Sequence, residues 1–574
     1  MDSALIVGGR TNDAGCRMDY KDYLEQSKRR LDHTLDRLKQ RNESILGSYG
    51  ISVKPKNESS RRPERGVILT DSFKLSKEYG CQQEDILEII HRYMNNRADA
   101  GFHWYLLDLS DPDVDRTNGV WEEIISVISV FNARNSICSP GSPVPLFIIG
   151  NHAVVPMPRM ENPTPGAIGG EFLDVDYRYA FEAEGDEEDY SPFMTEPSYF
   201  VGRIPVPFFF GEGEGELSEY LDSCIQLEDE GGMEVEETSM VSTESWIPSS
   251  HDMVADIPIS KVDTASELSV EGKLILSPTL DVNDWDTYQP FSEIARKADY
   301  MVFNLHGSDV PEQSSYFGED INHSYLTEAF NIELLLPNAP RVFISTACFG
   351  ARFINYAFDE SMLLYAMSNG TLLFVGSCVI ALGDPEGAGY SEYLTKLLNV
   401  YLHKGIPAGE AFSRAKEDYY REKNETEDPM YSLFTNMEFN LFGNPVLSMK
   451  PKLPMDYVPK GTNKDAFGRI SVPTYKEYKN KILVKSSADT GGDILSQVRM
   501  EVDRGLERIS QTIQEELYDR IGLQGIELDS IIEYDSGTDR GYYYTYSKRY
   551  GKLSTKVIAK TDQAGVVRRV ILTK

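Results

Sequence analysis

Cysteine is scarce in this chain: six among 574 residues, at positions 16, 81, 138, 224, 348 and 378. No two form C-x-x-C, none has zinc-ligand spacing, and H-E-x-x-H is absent. A disulfide scaffold, a zinc ribbon and a catalytic zinc helix are therefore not what the pattern describes, and no cofactor is implied. Long apolar runs are missing as well. The longest, TLLFVGSCVIAL at 371–382, is too short to cross a bilayer. The opening MDSALIVGGRTNDAG lacks the basic flank and extended apolar stretch of a secretory signal. Positive charge is outweighed, with 57 Lys and Arg against 91 Asp and Glu, a formal net charge of −34. Such a surface repels phosphate, so nucleic acid and anionic membrane are poor partners. Together these absences predict a soluble cytoplasmic protein.

What is present is a long alternation of strand and helix patterns. After a helical stripe at 20–46 and a polar linker at 57–66, GVILTDS, FHWYLLDLSD and VPLFIIGNHAVVP read as strands. QEDILEIIHRYMNNRAD and VWEEIISVISVFNARN read as the helices between them. This order predicts a parallel, doubly wound sheet. GEGEGE at 211–216 has half of a dinucleotide glycine signature, but its glutamates would repel phosphate, and an acidic turn before a helix is the better reading. The stretch 229–262 is acidic, rich in Ser and Met and weakly patterned, and reads as a surface loop or linker. A second α/β block begins near 272, with strands GKLILSP, DYMVFNLHG, RVFISTAC and TLLFVGSCVIAL. SYLTEAFNIELLL, DESMLLYAMSNG, GYSEYLTKLLNVYLHKG and AGEAFSRAKEDYYREK read as its helices, and NLFGNPVLSM closes it. Beyond 455 follow an amphipathic helix at 493–521 and tyrosine-rich strands. From Arg540 to Lys574 nine Lys or Arg meet one acid, a local +8 inside an acidic protein.

Two strands of the second block end in chemistry. Tyr300 to Leu305 runs into His306-Gly307-Ser308, and forty-two residues later Val342 to Ile344 runs into small residues and Cys348. In parallel sheets, sites form beyond the carboxyl ends of strands. If these two strands are neighbours, a thiol nucleophile and a proton donor reach one carbonyl. The Gly307 and Cys348 amides then supply a pair of oxyanion donors. The bland reading of each residue taken alone, a small buried thiol or a structural histidine, is the one given to Cys378, Cys16, Cys81, Cys138 and Cys224 and to His33, His91, His103, His251 and His403.

NLHGS followed by ISTACFGARF resembles the paired His-Gly and Ala-Cys signatures of the gingipain family of caspase-like cysteine peptidases. Further similarities run in family order from about 64 to 450: PLFIIGNHAVVP to the strand with G-D-H and I-P, and DVDYRYAF to the D-x-x-Y segment. YFVGRIPV is similar to the G-R strand, and NLFGNPVLSM to the closing F-G-D-P. The resemblance implies an α/β, caspase-like fold of doubly wound, mostly parallel sheets in two subdomains. These would span 64–228 and 272–452, joined by an acidic linker at 229–271. An N-terminal helical extension (1–63) and a C-terminal α+β domain with a basic tail (453–574) complete the expected layout. It implies a cysteine endopeptidase acting on protein or peptide substrates, with Cys348 as nucleophile, His306 as general acid/base and Gly307 and Cys348 as oxyanion amides. Asp176 matches the acid at the base of the S1 pocket in arginine-specific members, which implies cleavage after Arg or Lys.

The chain departs from the family in places. Asn151 stands where G-D-H has its acid, so the residue that orients the histidine is unassigned. CVIALGDPEG lacks the tryptophan that lines S1 in arginine-specific members. The alternatives are a catalytically silent scaffold and an adaptor binding through its basic C-terminal domain, in which Tyr interleaves with Lys and Arg as in nucleic-acid platforms. The terminal regions are expected to gate the site, with a regulatory protein partner to release it.

Overall fold

The computed structural model describes residues 64–257, 274–277, 298–458, 513–514 and 526–572, apart from short internal stretches that include 165–169, 183–189, 309–314 and 320–325. The helix expected at 20–46, most of that at 493–521 and the acidic run 183–189 lie outside the described residues.

The first half follows the expected alternation. Strand β1 (Arg65–Thr70) leads through helices α1 (Ser72–Tyr79) and α2 (Gln83–Asp99) to β2 (His103–Asp108), then through α3 (Trp121–Asn135) to β3 (Val144–Ile149). A short antiparallel pair, β4 (Arg159–Glu161) and β5 (Phe172–Asp174), precedes a 3-10 turn, Asp176–Ala180, and β6 (Tyr199–Ile204). Local chemistry sets these boundaries. Asp71 caps α1 by accepting from the Lys74 amide at 2.9 Å, and Gly80 ends it at φ +72°, a left-handed position suited to glycine. In α2 the buried Ile86, Ile89, Ile90, Tyr93 and Arg97 recur at helical spacing on one stripe.

The second half begins with α4 (Gly215–Asp229), so GEGEGE does lead into a helix. It continues with β7 (Thr238–Thr243), a 3-10 turn Glu244–Trp246, α5 (Ile247–Val254), β8 (Leu274–Ser277), β9 (Tyr300–Asn304) and β10 (Gly307–Ser308). The hairpin β11 (Ser315–Glu319) and β12 (Leu326–Asn331) follows, then β13 (Val342–Ser345), α6 (Met362–Ser368) and β14 (Leu373–Ser377). Helices α7 (Tyr390–His403), α8 (Ala408–Lys423) and α9 (Pro429–Glu438) lead to β15 (Phe439–Gly443). Strands β16 (Glu527–Asp535), β17 (Arg540–Tyr550), β18 (Leu553–Asp562) and β19 (Val567–Leu572) form an antiparallel sheet.

Both halves share one ten-stranded sheet in the order β2-β1-β3-β6-β15-β14-β13-β9-β7-β8. Its pairings are parallel except β14 with β15. The fold is thus α/β and mostly parallel, as expected. The two blocks meet at β15, which pairs β6 on one side and β14 on the other. All of β3, β9, β13 and β14 is buried, so both sheet faces are covered.

Two expectations fail here. The segment expected to be a loop or linker holds a core strand: β7 lies inside the sheet between β9 and β8, fully buried, while 258–271 lie outside the described residues. TSMVST can form a core strand because its hydroxyls find partners within the fold. Ser242 Oγ lies 2.5 Å from Ser250 Oγ, and Thr243 Oγ1 donates to the Glu319 carbonyl at 2.6 Å. The described part of SYLTEAFNIELLL, 326–335, is not an α-helix either; β12 pairs with β11 and Ile332–Leu335 winds as a 3-10 turn. A partner strand a few residues upstream outweighed the helical spacing of its apolar residues.

Candidate active site

The pairing of β9 with β13 is parallel, and its register runs from Tyr300 opposite Val342 to Phe303 opposite Ser345. That offset, 342 − 300 = 42, is also the separation of His306 and Cys348, 348 − 306 = 42. The two residues therefore stand at matching positions beyond the carboxyl ends of adjacent strands, which lie about 4.8 Å apart. The tips touch: a methyl group added at Gly307 would overlap the Cys348 carbonyl, so only glycine fits there.

Cys348 is buried, at the start of a sharp turn. Phe349, the residue after it, has φ +55°, a conformation disfavoured for a side chain of that size. Its amide donates to the Val379 carbonyl at 2.6 Å and the Ala351 amide to Ser377 at 2.9 Å, so the turn is pinned to the end of β14. The loop after β14 also holds the sulfur. The Ala381 amide donates to Cys348 Sγ at 3.4 Å, and the thiol is placed to donate to the Ala381 carbonyl at 3.6 Å.

His306 is buried, its ring edge-on to Trp246 with centroids 4.3 Å apart. Its Nε2 lies 3.4 Å from Glu319 Oε2. Glu319 is fixed in turn: Ser245 Oγ donates to its Oε2 at 2.9 Å, and its amide donates to Thr243 Oγ1 at 2.7 Å. The His306 backbone is bonded in both directions to Phe317, at 2.9 Å each, which places β11 and its Glu319 beside the imidazole. A carboxylate beside a catalytic imidazole orients the ring and stabilises its charged form. Sequence reading missed Glu319, Trp246, Ser245 and Thr243. The last three fall in the stretch taken for a linker, and Glu319 carries no motif of its own.

Asp176 lies elsewhere in its chemistry from where the resemblance put it. Its two carboxylate oxygens accept from Arg203 Nε at 2.6 Å and Nη2 at 2.7 Å, and both side chains are fully buried. Arg203 Nη1 completes the cage by donating to the carbonyls of Gly150, Asn151 and Val155 at 2.8, 3.3 and 2.7 Å. The expected S1 carboxylate is thus committed to a bidentate internal ion pair between the D-x-x-Y segment and the G-R strand. Asn151, the departure from G-D-H, caps its own turn by accepting from the Ala153 and Val154 amides. Asp174 on β5 is only half-buried; burial raises its carboxyl above the ordinary range, and Arg159 and Arg352 oppose that. Asn440 of β15 ties this segment to the sheet, donating to the Asp174 carbonyl at 3.0 Å and accepting from the Asp176 amide at 2.9 Å. Cys378 sits beside it; burial first, then the charges of Asp174 and Asp176, push its thiol well above its ordinary value, consistent with a structural role.

No protein-family model and no curated protein matches the chain. Solved structures similar to it include one described as the structure of a protease, with TM-score 0.43 and 9% identity over 92% of this chain and 93% of that one. Another is the complex of Porphyromonas gingivalis RgpB pro- and mature domains, with TM-score 0.42 and 12% identity over 67% and 80%. A third is the Arg-specific cysteine proteinase gingipain R, with TM-score 0.44 and 11% identity over 68% and 79%. Among the described residues no helix is long and apolar enough to cross a membrane.

Proposed function

We propose that the chain is a cysteine endopeptidase of caspase-like type. The observation that carries this reading is the in-register placement of His306 and Cys348 at adjacent strand tips, with Gly307 packed against the Cys348 backbone. The Cys348 thiol gives its proton to His306 and its sulfur attacks the scissile carbonyl carbon, whose oxygen takes up the electron pair. The amides of Gly307 and Cys348 receive that oxyanion. Collapse expels the amine, which takes a proton from the His306 imidazolium, and leaves a thioester on Cys348. Water, deprotonated by His306, attacks the thioester, releases the acid product and restores the thiol. Glu319 acts as a positioning residue through His306.

The substrate is a protein or peptide, with Arg or Lys at P1. Since Asp176 is engaged by Arg203, the acid of this segment that is left to meet a basic side chain is Asp174. Five cysteines of the described residues are free thiols, in keeping with a reducing, cytoplasmic setting. The test is hydrolysis of a peptide library by the wild type and by Cys348→Ala. Cleavage lost in the variant, with its thermal melt unchanged, supports the reading; cleavage at the wild-type rate refutes it.

A further inference from the structure

Strand β10 is two residues long, yet it is the junction between the catalytic block and the antiparallel sheet. Gly307 pairs with Leu572 and Ser308 with Ile571, so β10 becomes the fifth strand of the sheet that β16 to β19 build. The direction of the hydrogen bonds follows from alternation. In a strand, successive residues turn their N–H and C=O to opposite sides. His306 exchanges both of its backbone bonds with Phe317 of β11. Gly307 therefore turns its N–H and C=O to the other side, the side on which β19 lies. Leu572 is directly opposite, so Gly307 and Leu572 form the bonded pair of this antiparallel register, and Ser308 with Ile571 the close, non-bonded one. The neighbouring register agrees. With Leu572 turned to β10, Ile571 is turned to β18, where Ile558 stands opposite it.

The amide that β19 engages is the one assigned to the oxyanion. A substrate binds a peptidase in extended form, and extended chains dock by adding a strand to an open sheet edge. The two parts carry opposite net charge. Residues 540–574 carry +8, and the remainder of the protein carries −34 − 8 = −42.

We propose that the Gly307–Ser308 edge is a strand-addition site for an extended polypeptide substrate, and that β19 occupies it in the resting chain as an internal stand-in. The inference rests on the peptidase reading and adds to it a regulation: the site opens when β19 peels from β10. What releases it is another extended chain, the substrate itself or a partner offering a β-strand.

Three measurements on the full chain test this. Ser308→Cys with Ile571→Cys places two thiols at a non-bonded antiparallel pair, where Cα atoms lie about 4.5 Å apart, within disulfide range. Oxidation should lock β19 in place and abolish peptide hydrolysis reversibly, with single Ser308→Cys under the same oxidant as the control for damage to Cys348. Leu572→Pro removes the donor to Gly307 while sparing the β18 side, and should raise hydrolysis at least about tenfold if the edge is closed more than nine-tenths of the time. The third readout needs no catalysis: a fluorescent peptide of sequence VRRVIL, the residues of β19, should bind Leu572→Pro and not the wild type. If Cys348-dependent hydrolysis is unchanged by both the lock and the proline, and the peptide binds neither chain, the edge proposal is overturned. If no form hydrolyses peptide yet VRRVIL binds Leu572→Pro alone, the peptidase reading falls and the strand-addition edge stands.

Discussion

Replacing Asp176 by Asn separates two roles for one carboxylate. In the structure, Asp176 neutralises Arg203, whose guanidinium is fully buried among the carbonyls of Gly150, Asn151 and Val155. The Asn side chain is nearly isosteric, but it offers one acceptor where the carboxylate offers two. Its amide N–H then faces Arg203 Nε or Nη2, donor against donor, and a buried positive charge is left unpaired. Breaking one partner of a buried ion pair costs about 3–5 kcal/mol. For a cooperative unit of roughly 400 residues the unfolding entropy at the melt is about 0.8 kcal/mol/K, so a 4 kcal/mol loss lowers Tm by roughly 5 °C. The paired variant Asp176→Asn with Arg203→Met removes the charge as well and should recover much of that loss, since exchanging a whole buried pair for apolar volume is often near neutral. The assay is a thermal melt of the three proteins beside their P1 preferences on a peptide library. If Asp176→Asn melts with the wild type while its preference for Arg or Lys disappears, the ion-pair account is wrong and Asp176 is the S1 acid after all.

Glu319→Gln should lower kcat on the order of a hundredfold, within the range of a general acid–base contribution, with Glu319→Asp partly restoring it. Its pH–rate profile should lose height and shift its acidic limb to lower pH, because the imidazolium loses its counter-charge; a lower Tm with an unchanged profile would make Glu319 structural only. His403, whose Nδ1 lies 2.8 Å from the Asn399 carbonyl, is held by burial down at about 4. The unfolded chain therefore takes up a proton near pH 6.5 that the folded one refuses, so stability is full above that pH and falls as pH drops from about 6.5 to 4. Denaturant unfolding over that range should show a loss of order 3 kcal/mol that His403→Gln removes; an identical slope in the variant counts against it. Iodoacetamide at pH 7.5 should label Cys348 ahead of the other described thiols once the site opens. Burial pushes Cys81 and Cys138 up to about 11, and holds Cys224 and Cys378 well above the ordinary range. Peptide mapping that finds Cys378 modified first would contradict that order.

Most of the architecture is written in local pattern. Continuous apolar strands such as VPLFII and YMVFN can only be buried on both faces, and the helices between them impose parallel order. It also marked His306, Gly307 and Cys348, because each interrupts an apolar run at the end where parallel sheets build sites. Period-two burial of Tyr544 with Tyr546 and of Val557 with Ala559 likewise follows from the tyrosine-rich pattern of β17 and β18. Other features depend on partners far away in the chain and emerge only on folding. TSMVST became a core strand because Ser250 and Glu319 satisfy its hydroxyls. LTEAFN became a strand because β11 lay beside it. Asp176 became half of an ion pair because the sheet delivers Arg203 beneath it, 27 residues on. Glu319 reached His306 through a backbone bridge at Phe317, and Gly307 met Leu572 at a sequence separation of 265, 572 − 307. Local pattern encodes which face of an element is buried; which charge or edge it meets there is set by register and crossing, and these are properties of the assembled sheet.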